Sequence, residues 1–219
     1  MAEKYGEIPK DFKGRVGYYW LYYKWHTVAA LFVITVLAVG IGQCATKPRP
    51  DYTVILYVNK SLPMGYAEVM GEELAKYSED LNGDGKRIVS VIDTSYNANA
   101  SDYNISQANS TKLAAELATA DTLIFITDDP KFADLKEKTG NGELFGSYSF
   151  TPDLDGLAFN LKATPLYEAI NTDNFYPKNL YVSVRRTEGL PLKKSEKLHE
   201  KARRCAEFVQ RITEEKPVE

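Results

Sequence analysis

TVAALFVITVLAVGIGQCA, residues Thr27 to Ala45, is an apolar run of 19 residues without a charge. As a helix rising 1.5 Å per residue it just covers a hydrocarbon layer of ~30 Å. The reading of this stretch divides the chain into a tail (residues 1–26), a membrane span (27–45), a linker (46–51) and an outer domain (52–215). A cleaved signal peptide is the first alternative, and it needs a short basic leader and a small-x-small exit. Here the preceding segment is long and aromatic (Tyr18, Tyr19, Trp20, Tyr22, Tyr23, Trp25), and the exit is Gly42-Gln43-Cys44-Ala45. A lipoprotein signal would place a small residue before Cys44, where Gln43 stands. A buried core helix is the third alternative. The flanking Trp and Tyr argue against it, because such side chains favour the membrane–water interface.

Basic residues favour the cytoplasmic side. Of 27 Lys and Arg and 30 Asp and Glu, five basic and three acidic residues lie in the tail. The short tail is therefore expected inside the cell and residues 46–219 outside, as a single-pass cell-membrane protein. The outer part then carries a net charge of about −5, which offers no nucleic-acid footprint. The mostly aromatic strip from Gly14 to His26 reads as an interfacial stretch against the lipid bilayer or as a contact for another membrane protein. Cys44 and Cys205 are not expected to pair, since one lies at the membrane and the other on the apolar face of a helix. About 170 residues can bury a sizeable core without disulfides.

Beyond the stiff Pro48-Arg49-Pro50 connector, which is too short to let the domain wander far from the bilayer, the period of the apolar residues alternates between strand and helix. Strands are expected at Tyr52–Val58, Arg87–Ile92, Thr122–Thr127 and Leu180–Val184, with two short ones at Ser147–Phe150 and Leu157–Leu161. Helices are expected at 65–79, at 107–118 with Ser106 as N-cap, from Pro130 to Lys138, and for a turn or two from Pro165 to Ile170. A final helix of about 20 residues presents Leu198, Ala202, Cys205, Val209 and Ile212 on one face, closing the core. Tyr96 to Ser106 is a polar surface excursion. The expected fold class is α/β: one three-layer domain with a mostly parallel or mixed sheet after a single transmembrane helix.

Asp80-Leu-Asn-Gly-Asp-Gly-Lys86 is the sharpest local motif. Asp80, Asn82 and Asp84, followed by a glycine and the carbonyl of Lys86, match the first half of a calcium loop. Position 12 is Val91, not the bidentate Glu that completes such a shell, and no exiting helix follows. The same residues make a helix-to-strand turn in which Asp and Asn bond their own backbone. Both readings stand at this point: a turn, or a weak Ca²⁺ site, with no other cofactor expected.

Asp128 and Asp129 end the best central strand, on the edge where open parallel sheets bind ligands. Asn59, Lys60 and Ser61 follow the first strand on that edge. Asn59, Ser61, Asp128 and Asp129 are thus the expected polar lining of any small-molecule pocket. Asp128 and Asp129 equally suit an acidic helix N-terminus. His26 and His199 form no pair, and Lys60-Ser-Leu-Pro-Met-Gly65 is not a phosphate loop. No catalytic constellation is evident.

YYWLYYKWH (residues 18–26) followed at once by a span, TLIFITDDP (122–130), YVSVRR (181–186) and the long last helix together resemble a group of uncharacterised single-span membrane proteins of Gram-positive gut bacteria. Their outer domains are similar to a reduced extracellular solute-binding protein, whose two α/β lobes clamp a small molecule; about 170 residues leave room for one lobe. The resemblance implies a membrane-tethered, non-enzymatic binding or scaffold domain. The competing class is a membrane-anchored hydrolase using Asp128, Asp129 and Asp93.

Overall fold

The computed structural model describes residues 11–46, 49–97, 103–119, 121–140, 144–186 and 196–218. Two compact units divide at Pro48. The first contains helix α1, Phe12–Thr46, a continuous 35 residues, or ~52 Å at the helical rise. Helix thus extends well upstream of Thr27, through the aromatic strip. No proline interrupts residues 12–46, and stacking one turn apart (Tyr19 on Tyr23, 5.6 Å; Tyr18 near Tyr22, 4.6 Å) adds i,i+4 support. The apolar side chains lie exposed, with Phe32 at 69% and Ile34 at 62%. Thr27 and Thr35 donate their hydroxyls to the carbonyls of Tyr23 and Leu31, at 3.0 and 2.8 Å. Each hydroxyl is thereby satisfied within the helix. This is one N-terminal helix long and apolar enough to cross a membrane.

The second unit is a mixed five-stranded sheet between two layers of helices. Strands β1 (Tyr52–Tyr57), β2 (Val89–Asp93), β3 (Ile124–Thr127), β4 (Phe159–Asn160) and β5 (Tyr181–Val184) lie in the order β2-β1-β3-β5-β4. β1 pairs parallel to β2 and to β3, whereas β5 runs antiparallel to β3 and to β4. β1 is buried on both faces, and the pleat sorts its side chains. Val54 and Leu56 face a core formed with helices α2 (Tyr66–Ala75), α5 (Pro165–Ile170) and α6 (Glu196–Thr213). Ile55 and Tyr57 face a second core, which includes Leu113 of helix α3 (Tyr103–Thr119) and Phe132 and Leu135 of helix α4 (Asp129–Lys138). At roughly 1.5–3 kcal/mol for each large apolar side chain fully buried, these two cores hold the domain together. α6 contributes Phe208, Val209 and Ile212, each at most 1% exposed, so the last helix does close the core.

Three local expectations are corrected. Ser147–Phe150 is not a strand; Thr151 folds it into a turn by accepting the Tyr148 N–H and donating to Gly156 O. Leu157–Leu161 shrinks to a two-residue strand followed by a 3₁₀ turn. Ser106 lies inside α3, which begins at Tyr103, and so cannot be its N-cap. Part of the expected polar excursion, residues 98–102, and Pro48 of the connector lie outside the described residues.

Candidate functional site

The β1/β3 boundary is where chain direction across the sheet reverses. From β1 the chain crosses to β2 on one side and returns to β3 on the other, with α2 and α3 on opposite faces. Loops diverge at the carboxyl end of such a boundary, and ligands of α/β sheets bind there. Asn59, Ser61, Asp128 and Asp129 all lie at this end.

Geometry commits most of them to the fold. Asp128 is 5% exposed. Its Oδ2 accepts the Asn59 N–H at 2.8 Å, and its Oδ1 accepts the Lys131 N–H at 3.1 Å as the N-cap of α4. Burial raises its pKa against the pull of these two N–H groups. Asp129, one residue on, is exposed and accepts Asn179 Nδ2 at 3.0 Å. Ser61 is also exposed. Lys60 closes the neighbouring loop, with Nζ donating to Phe175 O at 2.6 Å and lying 3.7 Å from the centre of the Phe175 ring. Asp93, at the end of β2, accepts the Ser95 N–H at 2.8 Å.

Beneath this edge is a cluster that no sequence pattern singled out. Lys131 is 4% exposed, with Nζ 3.4 Å from the centre of the Tyr96 ring and 4.6 Å from that of Tyr57. Tyr57 donates its hydroxyl to Asp134 Oδ2 at 2.7 Å, and Lys138 donates to the same oxygen at 2.8 Å. Burial works against the Asp134 carboxylate, yet the Lys138 and Tyr57 hydrogen bonds outweigh it and hold its pKa below the ordinary value. Burial raises the Tyr57 hydroxyl, and its bonds to Tyr96 and Asp134 raise it further. The only signal for this cluster lay in Tyr57 and Lys131 themselves. A Tyr in a buried strand needs a polar partner, and a Lys three residues after an N-cap can fold back over it.

The Asp80–Lys86 segment is a fully engaged turn. Asp80 accepts the N–H groups of Gly83 and Gly85 at 2.7 and 2.8 Å; Asn82 Oδ1 accepts from Asp84 N and Asp84 Oδ1 from Lys86 N, both at 2.9 Å. Gly83 and Gly85 take φ of 73° and 79°, which a side chain would oppose. The N–H groups of Gly85 and Gly83, working against desolvation, lower the Asp80 pKa. Asp51, unmarked by the motif, anchors the turn by accepting from Leu81, Asn82 and Ile88. Among the described residues no group of three or more His, Cys, Asp or Glu gathers as for a metal ion.

Concavities occur away from the expected edge. One, of about 430 Å³, runs beside Gly71 of α2 and Val89 of β2. Another, of about 220 Å³, lies at the opposite end of β1 from Asp128, between Tyr52, Leu81 and the first turns of α6. Its charged wall is Lys197, Glu200, Lys201 and Arg204. No family model, curated protein or solved structure matches this chain.

Proposed function

We propose that the protein is a membrane-tethered, extracytoplasmic domain that binds a small ligand or supports a partner at the cell surface, without enzymatic activity. The observation that carries this reading is α1, whose apolar side chains are exposed along a helix long enough to span a bilayer, followed by an α/β unit with its own two cores. The basic excess of residues 1–26 supports a cytoplasmic tail. Tethering confines the outer domain near the bilayer and raises its effective concentration toward anything bound there. The engagement of Asp128 by two backbone N–H groups supports a structural rather than an acid–base role for it. The resemblance to a reduced solute-binding lobe points the same way.

The test uses the full chain in bacterial cells, carrying Glu214→Cys in a Cys44→Ser background. Alkaline carbonate should leave the protein in the membrane pellet, and a membrane-impermeant maleimide should label the introduced thiol in intact cells. Ile34→Arg combined with Leu37→Arg should abolish membrane retention, because each Arg at a helix centre costs about 2.5–3.5 kcal/mol of insertion. Release of the parent chain by carbonate, or labelling only after lysis, would overturn the reading.

A further inference from the structure

α1 is longer than the layer it crosses. Its 35 residues measure ~52 Å at the helical rise, against ~30 Å of hydrocarbon and about 40–45 Å of bilayer with both headgroup regions. The apolar run from Thr27 to Ala45 alone accounts for the hydrocarbon. Residues 12–26 continue the same unbroken helix for a further ~22 Å.

That segment is unsuited to water. Phe12, Trp20, Leu21 and Trp25 are each 65–78% exposed. At about 100° per residue, apolar and aromatic side chains stand all round the helix except in one sector of about 100°. Lys13 and Lys24 share that sector, within ~20° of each other. A protein partner, or the same helix of a second copy, covers one face, whereas a helix apolar on every side is surrounded by a folded core or by lipid. No core surrounds this one, since none of the described residues of α1 is buried. The charges point the same way. α1 holds no Asp or Glu, and its Lys and Arg residues (Lys13, Arg15 and Lys24) all precede the span.

We infer that residues 12–26 lie within the bilayer rather than beyond it, and form a binding surface for anionic phospholipid headgroups on the tail's side of the membrane. The rings of Trp20, Tyr22, Tyr23 and Trp25 occupy the headgroup boundary. Lys24 extends its stem along the helix to reach the phosphates, and Lys13 and Arg15 sit among the anionic headgroups. A tilt of about 30–40°, inside the range of transmembrane helices, brings the whole ~52 Å within the bilayer's about 40–45 Å. The surface is continuous with the lipid-facing side of the span. The inference rests on the membrane-tethered reading and deepens it by naming the lipid class that the tether selects.

Trp20 and Trp25 are the two tryptophans of the protein, so the segment carries its own depth probes. The full chain is reconstituted into phosphatidylcholine vesicles with or without phosphatidylglycerol. Trp20→Phe leaves Trp25 as the reference beside the span, and Trp25→Phe leaves Trp20 as the reporter. Lipids brominated high on the acyl chain are expected to quench both, and aqueous acrylamide to quench Trp20 as weakly as Trp25. Brominated phosphatidylglycerol should associate with the segment more strongly than brominated phosphatidylcholine, about fivefold being the scale of one basic residue at an anionic surface. Lys13→Gln, Arg15→Gln and Lys24→Gln together should bring that ratio to about one. Acrylamide quenching of Trp20 without quenching by brominated lipid would place the segment in water and overturn the inference. Shielding of Trp20 from both quenchers, which marks a protein contact, or an unchanged ratio in the charge variant would overturn it too. Carbonate extraction reads the tether separately: a chain that resists carbonate while Trp20 stands in water loses this inference alone.

Discussion

The Asp128 carboxylate holds the backbone N–H of Asn59 at 2.8 Å, across the boundary between the two central parallel strands. With its other oxygen it caps α4 through Lys131 N. One side chain therefore ties the exit of β1 to the start of the helix after β3. This explains why an acidic residue is buried at this edge. Removing it leaves two N–H groups without acceptors at a position only 5% exposed.

Asp128→Ala is accordingly expected to cost about 2–4 kcal/mol, the sum of a lost cap and a lost buried acceptor. Asp128→Ser keeps the cap but does not reach Asn59, and about half that loss is expected. Urea unfolding of the full chain in neutral detergent measures both. Both tryptophans, Trp20 and Trp25, belong to the N-terminal unit, so near-ultraviolet circular dichroism of the tyrosines is the suitable signal. Equal stability of all three proteins would refute the clamp.

Lys131 depends on its aromatic neighbours. A desolvated ammonium over an aromatic face gains about 2 kcal/mol, and Nζ lies 3.4 Å from the centre of Tyr96. Lys131→Met keeps the length and loses the charge, and a loss of about 1–2 kcal/mol is expected. Lys131→Ala, which also opens a void, should lose about 3 kcal/mol. In a double-mutant cycle, Lys131→Met and Tyr96→Leu should couple by about 1 kcal/mol or more. Additive effects would show that the cation gains nothing from the ring.

Gly71 brings α2 against β2. A Cβ there would lie 2.6 Å from Val89 O, a backbone atom in a strand, so helix or strand must shift. Alanine favours helix by about 1 kcal/mol over glycine, yet Gly71→Ala is expected to lower stability by about 1–3 kcal/mol, the scale of overpacking. Glu72→Ala, exposed on the same helix, serves as control and should stay within about 0.5 kcal/mol. A stabilised Gly71→Ala protein would mean that the close approach is not maintained in solution.

The parts of the fold readable from the chain were those carried by period and burial. Tyr52–Val58 and Thr122–Thr127 are continuous β-branched and aromatic runs, and both became central strands. Pro165 and Pro130 opened helices α5 and α4 where expected. Ser147–Phe150 misled because its alternation belongs to a turn closed by Thr151, which bonds both the N–H and the carbonyl of Tyr148, not to a pleat. Asp128 was legible as an edge residue, but its bond to Asn59 joins positions 69 apart, and no local pattern encodes such a contact.

Alkaline pH should weaken the domain through two buried groups. Burial pushes the Cys205 thiol up to about 12, with Lys201 opposing, and burial likewise raises the Tyr52 hydroxyl to about 12. In the unfolded chain a thiol titrates near 8.5 and a tyrosine near 10. Between those values and about 12 the folded protein keeps protons that the unfolded chain releases. The stabilising contribution is therefore fully present below pH ~8.5 and declines as pH rises, at about 1.4 kcal/mol per pH unit for each group that differs. From pH 8.5 to 10 the thiol alone predicts a loss of about 2 kcal/mol, with Tyr52 adding to the slope above 10. Cys205→Ala removes the first part and leaves the second. Urea unfolding at half-unit intervals from pH 7.5 to 10.5 compares the two slopes. Parallel curves below pH 10 would mean that the Cys205 thiol reaches solvent in the native protein.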